Sequence, residues 1–254
     1  TTGGDVTAAW GGYFAVIDQA NRLLPKVYTV TASADQEARR AVLKGQLLAM
    51  RAISHFALLQ SYSKSWNPAT VGGEVLGVPV MTESNPLAKP ARKTMIEVMS
   101  QIEADLNEAK TLLPVLSNPM DFSDTVMNNV NVAAYQARIA LYKKDYDKAI
   151  MYSTEVINSG VRPLAPAGLF PSIWTDDTFD ETLFRIRYAT SAAIGGLWTT
   201  TGDQVYIAPS DKLSNSYSTS DIRKTTFIGT TGTGKPCVKK FYTSSRGGRV
   251  VDVK

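Results

Sequence analysis

Residues 128–163, NNVNVAAYQARIALYKKDYDKAIMYSTEVINSGVRP, constrain the fold more than any other stretch. Ala133, Ala137, Ala140 and Leu141 recur at helical spacing, and small side chains on that stripe let a second helix approach closely. Lys143 and Lys144 suit the negative end of this helix, and Asp145 is placed to cap the next. Tyr146, Ala149, Ile150, Ser153, Val156 and Ile157 then keep the 3.6-residue period until Asn158, Ser159, Gly160 and Pro163 end it. The pattern is a helical hairpin with tetratricopeptide-like marks: small residues on the first helix, Tyr-x-x-Ala-Ile on the second. One such hairpin cannot bury its apolar face alone, so neighbouring helices are expected around it.

The preceding sequence supplies them. Trp10, Tyr13, Phe14, Ile17 and Leu24 mark a first helix with Pro25 near its end. A long helix is expected over 34–63, where Leu43, Leu47, Met50, Ser54, Ala57 and Leu58 form one stripe. Leu48, Ala52, His55, Leu59 and Tyr62 form a second, and two stripes mean burial on most of the circumference. A loop, KSWNPATVGG, follows at 64–73, then a short extended piece at 78–81. Lys93–Leu113 gives another helix through Ile96, Met99, Ile102, Leu106, Ala109 and Leu113, ended by Pro114. After Pro163 the character changes. Leu183–Tyr188 alternates like a strand, Gly, Ser and Thr dominate from Thr190 to Ser220 with no helical pattern, and the end of the chain shows no closing element. Short ordered pieces are expected at Tyr217–Ile222 and Val238–Tyr242. The expected fold is mainly α: a tetratricopeptide-like helical-repeat superhelix over 1–163 carrying a loop-rich part over 164–254.

Composition narrows the function classes. The 254 residues are 44% apolar and 20% charged, ordinary for a globular protein. No apolar run is long enough to span a membrane. The net charge of +4 is scattered rather than striped, except toward Lys235–Lys254, which argues against a nucleic-acid partner. Cys237 is the lone cysteine, so no internal disulfide framework exists.

Catalytic and cofactor signals are weak, and neither a catalytic residue nor a metal ligand is assigned. His55, the only histidine, lies on an apolar stripe one turn after Arg51, where a histidine is ordinarily a packed, hydrogen-bonded core residue. No Cys/His cluster has zinc spacing. Gly229–Lys235 superficially resembles a phosphate-binding loop but lacks its spacing, the Ser or Thr after the lysine and the following helix, and reads as a hairpin or loop. Asp176, Asp177, Asp180 and Glu181 could form a glycosidase pair or hold calcium, although caps and solvated turns commonly explain such clusters. Among the aromatics, Trp10 and Trp174 sit with apolar neighbours and read as core. Trp66 stands in a polar loop beside Asn67-Pro68, just after a buried helix. An exposed indole there offers a stacking face for the C–H side of a sugar ring, and an adjacent amide can donate to and accept from hydroxyls. The competing reading folds Trp66 back over the helix end. Trp198, after Gly195-Gly196, is a second, weaker platform.

Four stretches together resemble the SusD/RagB family of outer-membrane nutrient-binding lipoproteins of the Bacteroidetes. They are Trp10-x-x-Tyr13 with Ile17 and Asn21-x-Leu23; RAISHFALLQSY at 51–62 followed by Gly77-Val-Pro-Val80; RKTMIEVMSQIEADLNEAKTLLP at 92–114; and the hairpin at 128–163. Glu181-x-Leu-Phe184 and Pro209-Ser210…Tyr217…Asp221-x-Arg223 fit loosely. The resemblance implies cell-surface capture of oligosaccharides, or in some relatives peptides, for a TonB-dependent outer-membrane transporter, with no catalysis and no cofactor. It places ligand-binding aromatics in loops, one of them the loop that holds Trp66 and Asn67 here; Tyr62 is a neighbour. Family members are usually much longer and carry a lipid-bearing cysteine near the start. The chain therefore reads as an N-terminal portion downstream of the anchor, with apolar helix surface left uncovered. Two alternatives stand beside glycan capture: a peptide-binding or protein-only adaptor using the helical-repeat surface, and a glycoside hydrolase using the acidic cluster near Asp177.

Overall fold

A computed structural model of the chain describes residues 3–85, 87–116, 118–175, 178, 180–187, 204–240 and 249–253. The chain divides into two compact units, Thr1–Val161 and Arg162–Lys254. The first is helical: α1 (Gly3–Leu23), α2 (Ala34–Tyr62), α3 (Met95–Leu112), α4 (Asn129–Lys143) and α5 (Tyr146–Asn158). Each helix packs on the next in sequence.

Local chemistry sets the helix boundaries. Ahead of α3, Glu97 N–H donates to Thr94 Oγ1 at 3.2 Å while Thr94 N–H donates to Glu97 Oε2 at 2.8 Å, a reciprocal cap. Asn128 Oδ1 accepts from Asn131 N–H to start α4, and Asp145 Oδ1 accepts from Lys148 N–H to start α5. Between those last two, Lys144 takes the left-handed conformation at φ 62° that reverses the chain. The hairpin expected from the sequence is therefore present, with its turn at Lys144-Asp145.

The core lies where α1, α2 and α3 meet. On α2, Leu48, Ala49, Ala52, Phe56, Leu58 and Leu59 are buried, and Val98, Met99, Ile102, Leu106 and Ala109 face them from α3. The two-stripe pattern thus holds for the second half of α2, whereas Leu43 in its first half is exposed. Gly45 sits where α2 and α3 come closest: a Cβ there would lie 2.9 Å from Leu113 Cγ and 3.2 Å from the Ala109 carbonyl. On α4, Ala133 and Ala140 are buried but Leu141 is exposed. None of the residues of α5 is buried, and Tyr146, Ile150 and Ile157 are 59%, 65% and 72% exposed. The apolar stripe of α5 exists as read, with Ala149 and Val156 half-buried against α4 and Tyr146, Ile150 and Ile157 left exposed.

Ions and amides lock this core. Arg51 on α2 makes a two-pronged contact with Asp105 on α3: Nε to Oδ2 at 2.8 Å and NH2 to Oδ1 at 2.7 Å. Its third nitrogen donates to Asn21 Oδ1 on α1 at 2.8 Å and to the Thr82 carbonyl at 3.3 Å. Asn21 Nδ2 in turn donates to the carbonyls of Met81 and Glu83. His55 completes the set. Its Nδ1 donates to the Arg51 carbonyl at 3.0 Å, and its Nε2 accepts from Met81 N–H at 3.2 Å. That pair of bonds requires the neutral imidazole with the proton on Nδ1. Burial lowers its pKa from 6.5 to about 4. His55 is a structural residue, as its position on the stripe implied.

The second unit mixes short elements: α6 (Phe170–Trp174), β1 (Phe184–Arg187), α7 (Asp211–Ser216), α8 (Ile222–Phe227), β2 (Ile228–Thr230), β3 (Pro236–Val238) and β4 (Arg249–Val253). Three expectations need correction. The end of the chain does close an element, because β4 pairs antiparallel with β1, with Arg187 opposite Arg249 and Phe184 opposite Val253. A helix, α7, does form before Ser220, started by Ser210 Oγ accepting from Leu213 N–H at 3.2 Å. It is too short to show a period. The strand at β1 forms, but its burial does not alternate: Leu183, Phe184 and Arg185 are all buried and Ile186 is 40% exposed. Gly229–Lys235 is the hairpin foreseen: β2 and β3 pair antiparallel, and Gly234 holds φ 81° in the turn. Trp174 is half-buried rather than core, in edge-to-face contact with Phe227 at 4.9 Å, and Lys240 Nζ lies 3.9 Å from its ring centroid. Trp10 is likewise half-buried.

Two measurements check this packing. Because the folded pKa of His55 lies below the unfolded one, the neutral ring stabilises the fold above pH 6.5. That contribution falls as the pH drops toward 4. Denaturant unfolding should lose about 2 kcal/mol between pH 7.5 and 5, at about 1.36 kcal/mol per pKa unit, and His55→Asn should flatten that slope. At the closest helix approach, Gly45→Ala should destabilise by on the order of 1 kcal/mol, because overpacking outweighs the gain in helix propensity. Gly12→Ala on α1 meets nothing within 4 Å and should instead raise stability by about 0.5–1 kcal/mol.

Candidate functional site

The site begins where α2 stops. Tyr62 ends the helix, and the Arg92 guanidinium fixes that end by donating to the carbonyls of Tyr62 at 3.1 Å and Gly77 at 2.6 Å. The following loop is held by its own backbone: the Asn67 carbonyl accepts from the N–H groups of Thr70 and Val71, and the Val71 side chain is buried. Trp66 N–H donates to Tyr142 Oη at 3.3 Å, joining the loop to the end of α4. The Tyr142 ring stands edge-on to Phe56 of α2 at 5.5 Å. Trp66 is therefore carried by the ends of α2 and α4 and by the loop's own hydrogen bonds rather than by a free loop.

The indole is half-buried, not largely exposed as the sequence suggested. Part of its surroundings comes from far along the chain. Lys143, at the end of α4, places its ammonium 5.6 Å from the Trp66 ring centroid and pairs with Glu103 of α3 at 2.5 Å. A cation over an indole face is attracted by the ring quadrupole, so Lys143 shares the surface that a ligand would use. Asn67 also differs from the simple expectation. Its Oδ1 accepts from Ala69 N–H at 3.1 Å, which leaves the exposed amide as a donor.

The other candidates lie elsewhere. Tyr62 faces α1, with its hydroxyl donating to the Val6 carbonyl at 2.5 Å and its ring edge-on to Trp10 at 4.9 Å. Trp198 falls outside the described residues, as do Asp176 and Asp177. Of the acidic cluster, Glu181 Oε1 accepts from Ala165 N–H at 2.9 Å, a structural use of the carboxylate. Among the described residues no group of three or more His, Cys, Asp or Glu side chains is placed to hold a metal ion. Nor, among them, is any helix long and apolar enough to cross a membrane.

Sequence reasoning missed Lys143, Glu103 and Tyr142. Lys143 read as the end of a helix and Tyr142 carried no signal, since nothing local links residue 66 to a position 76 residues away.

Residues 2–141 match the family model of SusD-like proteins described as starch-binding and associating with the outer membrane. No curated protein sequence matches the chain. Among solved structures, a protein of Bacteroides vulgatus superposes with a TM-score of 0.83 at 21% identity, covering 98% of this chain and 58% of that one. The surface glycan-binding protein A of Bacteroides uniformis gives 0.74 at 17% identity, covering 97% and 58%. A laminarin-binding SusD-like protein gives 0.68 at 16%, covering 97% and 63%. The chain spans about three fifths of the length of these relatives. At such identities the likeness establishes the fold, and the family match covers more than half of the sequence. The chain belongs to the SusD/RagB family, with its tetratricopeptide-like helical fold.

Proposed function

We propose that this chain binds oligosaccharides at the outer cell surface and hands them to a TonB-dependent outer-membrane transporter, without catalysis. The observation that carries the reading is Trp66. A half-buried indole stands at the end of a rigid helix, beside the Lys143 ammonium, the Glu103 carboxylate and the free amide donor of Asn67. An aromatic face rimmed by hydrogen-bonding groups of both kinds matches a sugar ring, which is apolar on one side and polar around its edge. The family's description as starch-binding and the laminarin-binding relative support the same ligand class. Outer-membrane association follows the family description, and a lipid anchor and the transporter contact follow from the resemblance.

Stacking on the part of the indole left open removes apolar area worth about 1–2 kcal/mol before ordering costs. One platform therefore gives weak binding, in keeping with capture beside a transporter, where several contacts act together.

The exposed stripe of Tyr146, Ile150 and Ile157 favours a second reading, in which the helical unit binds a protein or peptide partner. The two readings separate on one pair of experiments. On a glycan and peptide array, the glycan reading expects signal from oligosaccharides that Trp66→Ala abolishes. Because the indole is half-buried, this variant should lose only about 1–2 kcal/mol of stability, well below a core truncation. Binding to a partner protein in pull-down with no glycan response would favour the adaptor instead.

A further inference from the structure

A cleft of about 80 Å³ opens between α3, α4 and α5, and Lys143 and Glu103 form part of its wall. Lys143 therefore belongs both to the Trp66 platform and to this cleft. Glu103 and Asn107 share one face of α3 at i, i+4 spacing, and Gln136 and Lys143 share one face of α4 at i, i+7. Gln136 is the buried polar residue of the lining, only 6% exposed. Its Nε2 donates to Asn107 Oδ1 at 2.8 Å, and its Oε1 is buried with no partner. A buried carbonyl left unmet costs about 1–3 kcal/mol, so this atom calls for a donor.

We infer that the cleft is a second subsite for the ligand that stacks on Trp66, taking hydroxyl groups from the adjoining sugar residue. The inference rests on the reading of Trp66 as a glycan platform. The chemistry of the lining selects the class. Lys143 and Lys148 are balanced by Glu103 and Asp145, so a bare anion or cation finds no excess of opposite charge. The amide pair leaves one acceptor, Gln136 Oε1, and one donor, Asn107 Nδ2, both on residues of the lining. Neighbouring hydroxyls, each both donor and acceptor, satisfy such a pair; an apolar group or a single ion does not. Size narrows the fit. About 80 Å³ admits a few waters or the hydroxyl-bearing edge of a sugar, not an oligosaccharide lying at full length. The ligand thus rests on Trp66, passes Lys143 and turns one edge into the cleft, so chain length adds affinity.

Calorimetric titration tests this with maltose, maltohexaose, laminaribiose and laminarihexaose as probes. Gln136→Met removes the unmet carbonyl with little change of shape, and Asn107→Asp removes the amide donor at an exposed position while keeping the Oδ1 that Gln136 uses. Each variant should weaken the hexasaccharide that binds wild type by about tenfold, the effect of one lost hydrogen bond, and leave the disaccharide unchanged. Trp66→Ala should remove both. If Trp66→Ala removes binding but Gln136→Met and Asn107→Asp leave the hexasaccharide unaffected, the subsite is overturned and the platform stands: an ordered water alone fills the cleft. If Trp66→Ala changes nothing, or wild type binds none of the four probes, the platform reading falls and the subsite with it. Should Gln136→Met fail to fold, Asn107→Asp decides.

Discussion

The N-terminal unit depends on the guanidinium of Arg51. It reaches Asp105 on α3, Asn21 on α1 and the Thr82 carbonyl, and it does so with side-chain exposure of 8%, against 4% for Asp105. A buried ion pair adds little net stability on its own, because desolvation offsets much of the attraction. Its geometric demand is nevertheless strict. Stranding one partner typically costs about 3–5 kcal/mol, so arrangements that misplace α1, α2 or α3 are penalised. Gln101 Nε2 donates to Asp105 Oδ1 at 2.8 Å, and His55 ties the Arg51 carbonyl to Met81 N–H. The network therefore fixes both the helix register and the segment after residue 80.

That rigidity is what the candidate site uses. The end of α2 is carried by a helix whose Leu48, Ala49, Ala52, Phe56, Leu58 and Leu59 are buried, and Arg92 clamps its last carbonyl. The Trp66 loop leaves a fixed base and is met by Tyr142 and Lys143 from α4. A stacking platform needs this, since an indole that must first be ordered gives back part of the binding energy in entropy. Lys143 adds chemistry at the cost of open area: its ammonium covers part of the ring and brings Glu103 within reach of a hydroxyl rim.

The helices were legible because their periods are long and their caps are local. Thr94 with Glu97, Asn128 and Asp145 all act within three residues of themselves. His55 was legible because a histidine on an apolar stripe has few other fates. The second unit was not, for the same physical reason reversed. β4 is ordered by β1 some sixty residues earlier, and α7 is six residues long, so neither leaves a repeat in the sequence. At the site, Trp66 and Asn67 could be proposed from a loop motif, but their partners could not. The contacts of Trp66 with Tyr142 and Lys143 come from α4, and the use of Asn67 Oδ1 by Ala69 depends on the turn the loop adopts. The Gln136–Asn107 pair is likewise a contact between two helices whose amides look like ordinary solvated positions in the sequence.

The central claim is that a sugar stacks on Trp66 while the helical frame stays as it is. The most direct measurement follows the four indole N–H signals of the protein in two-dimensional NMR as a glucose oligosaccharide is added, with the Trp66 signal identified by its loss in Trp66→Phe. The account predicts that the Trp66 signal shifts progressively and saturates, while the signal of Trp10, engaged by Phe14 and Tyr62, stays in place. A saturating shift confined to other tryptophans, with Trp66 unmoved, would contradict it.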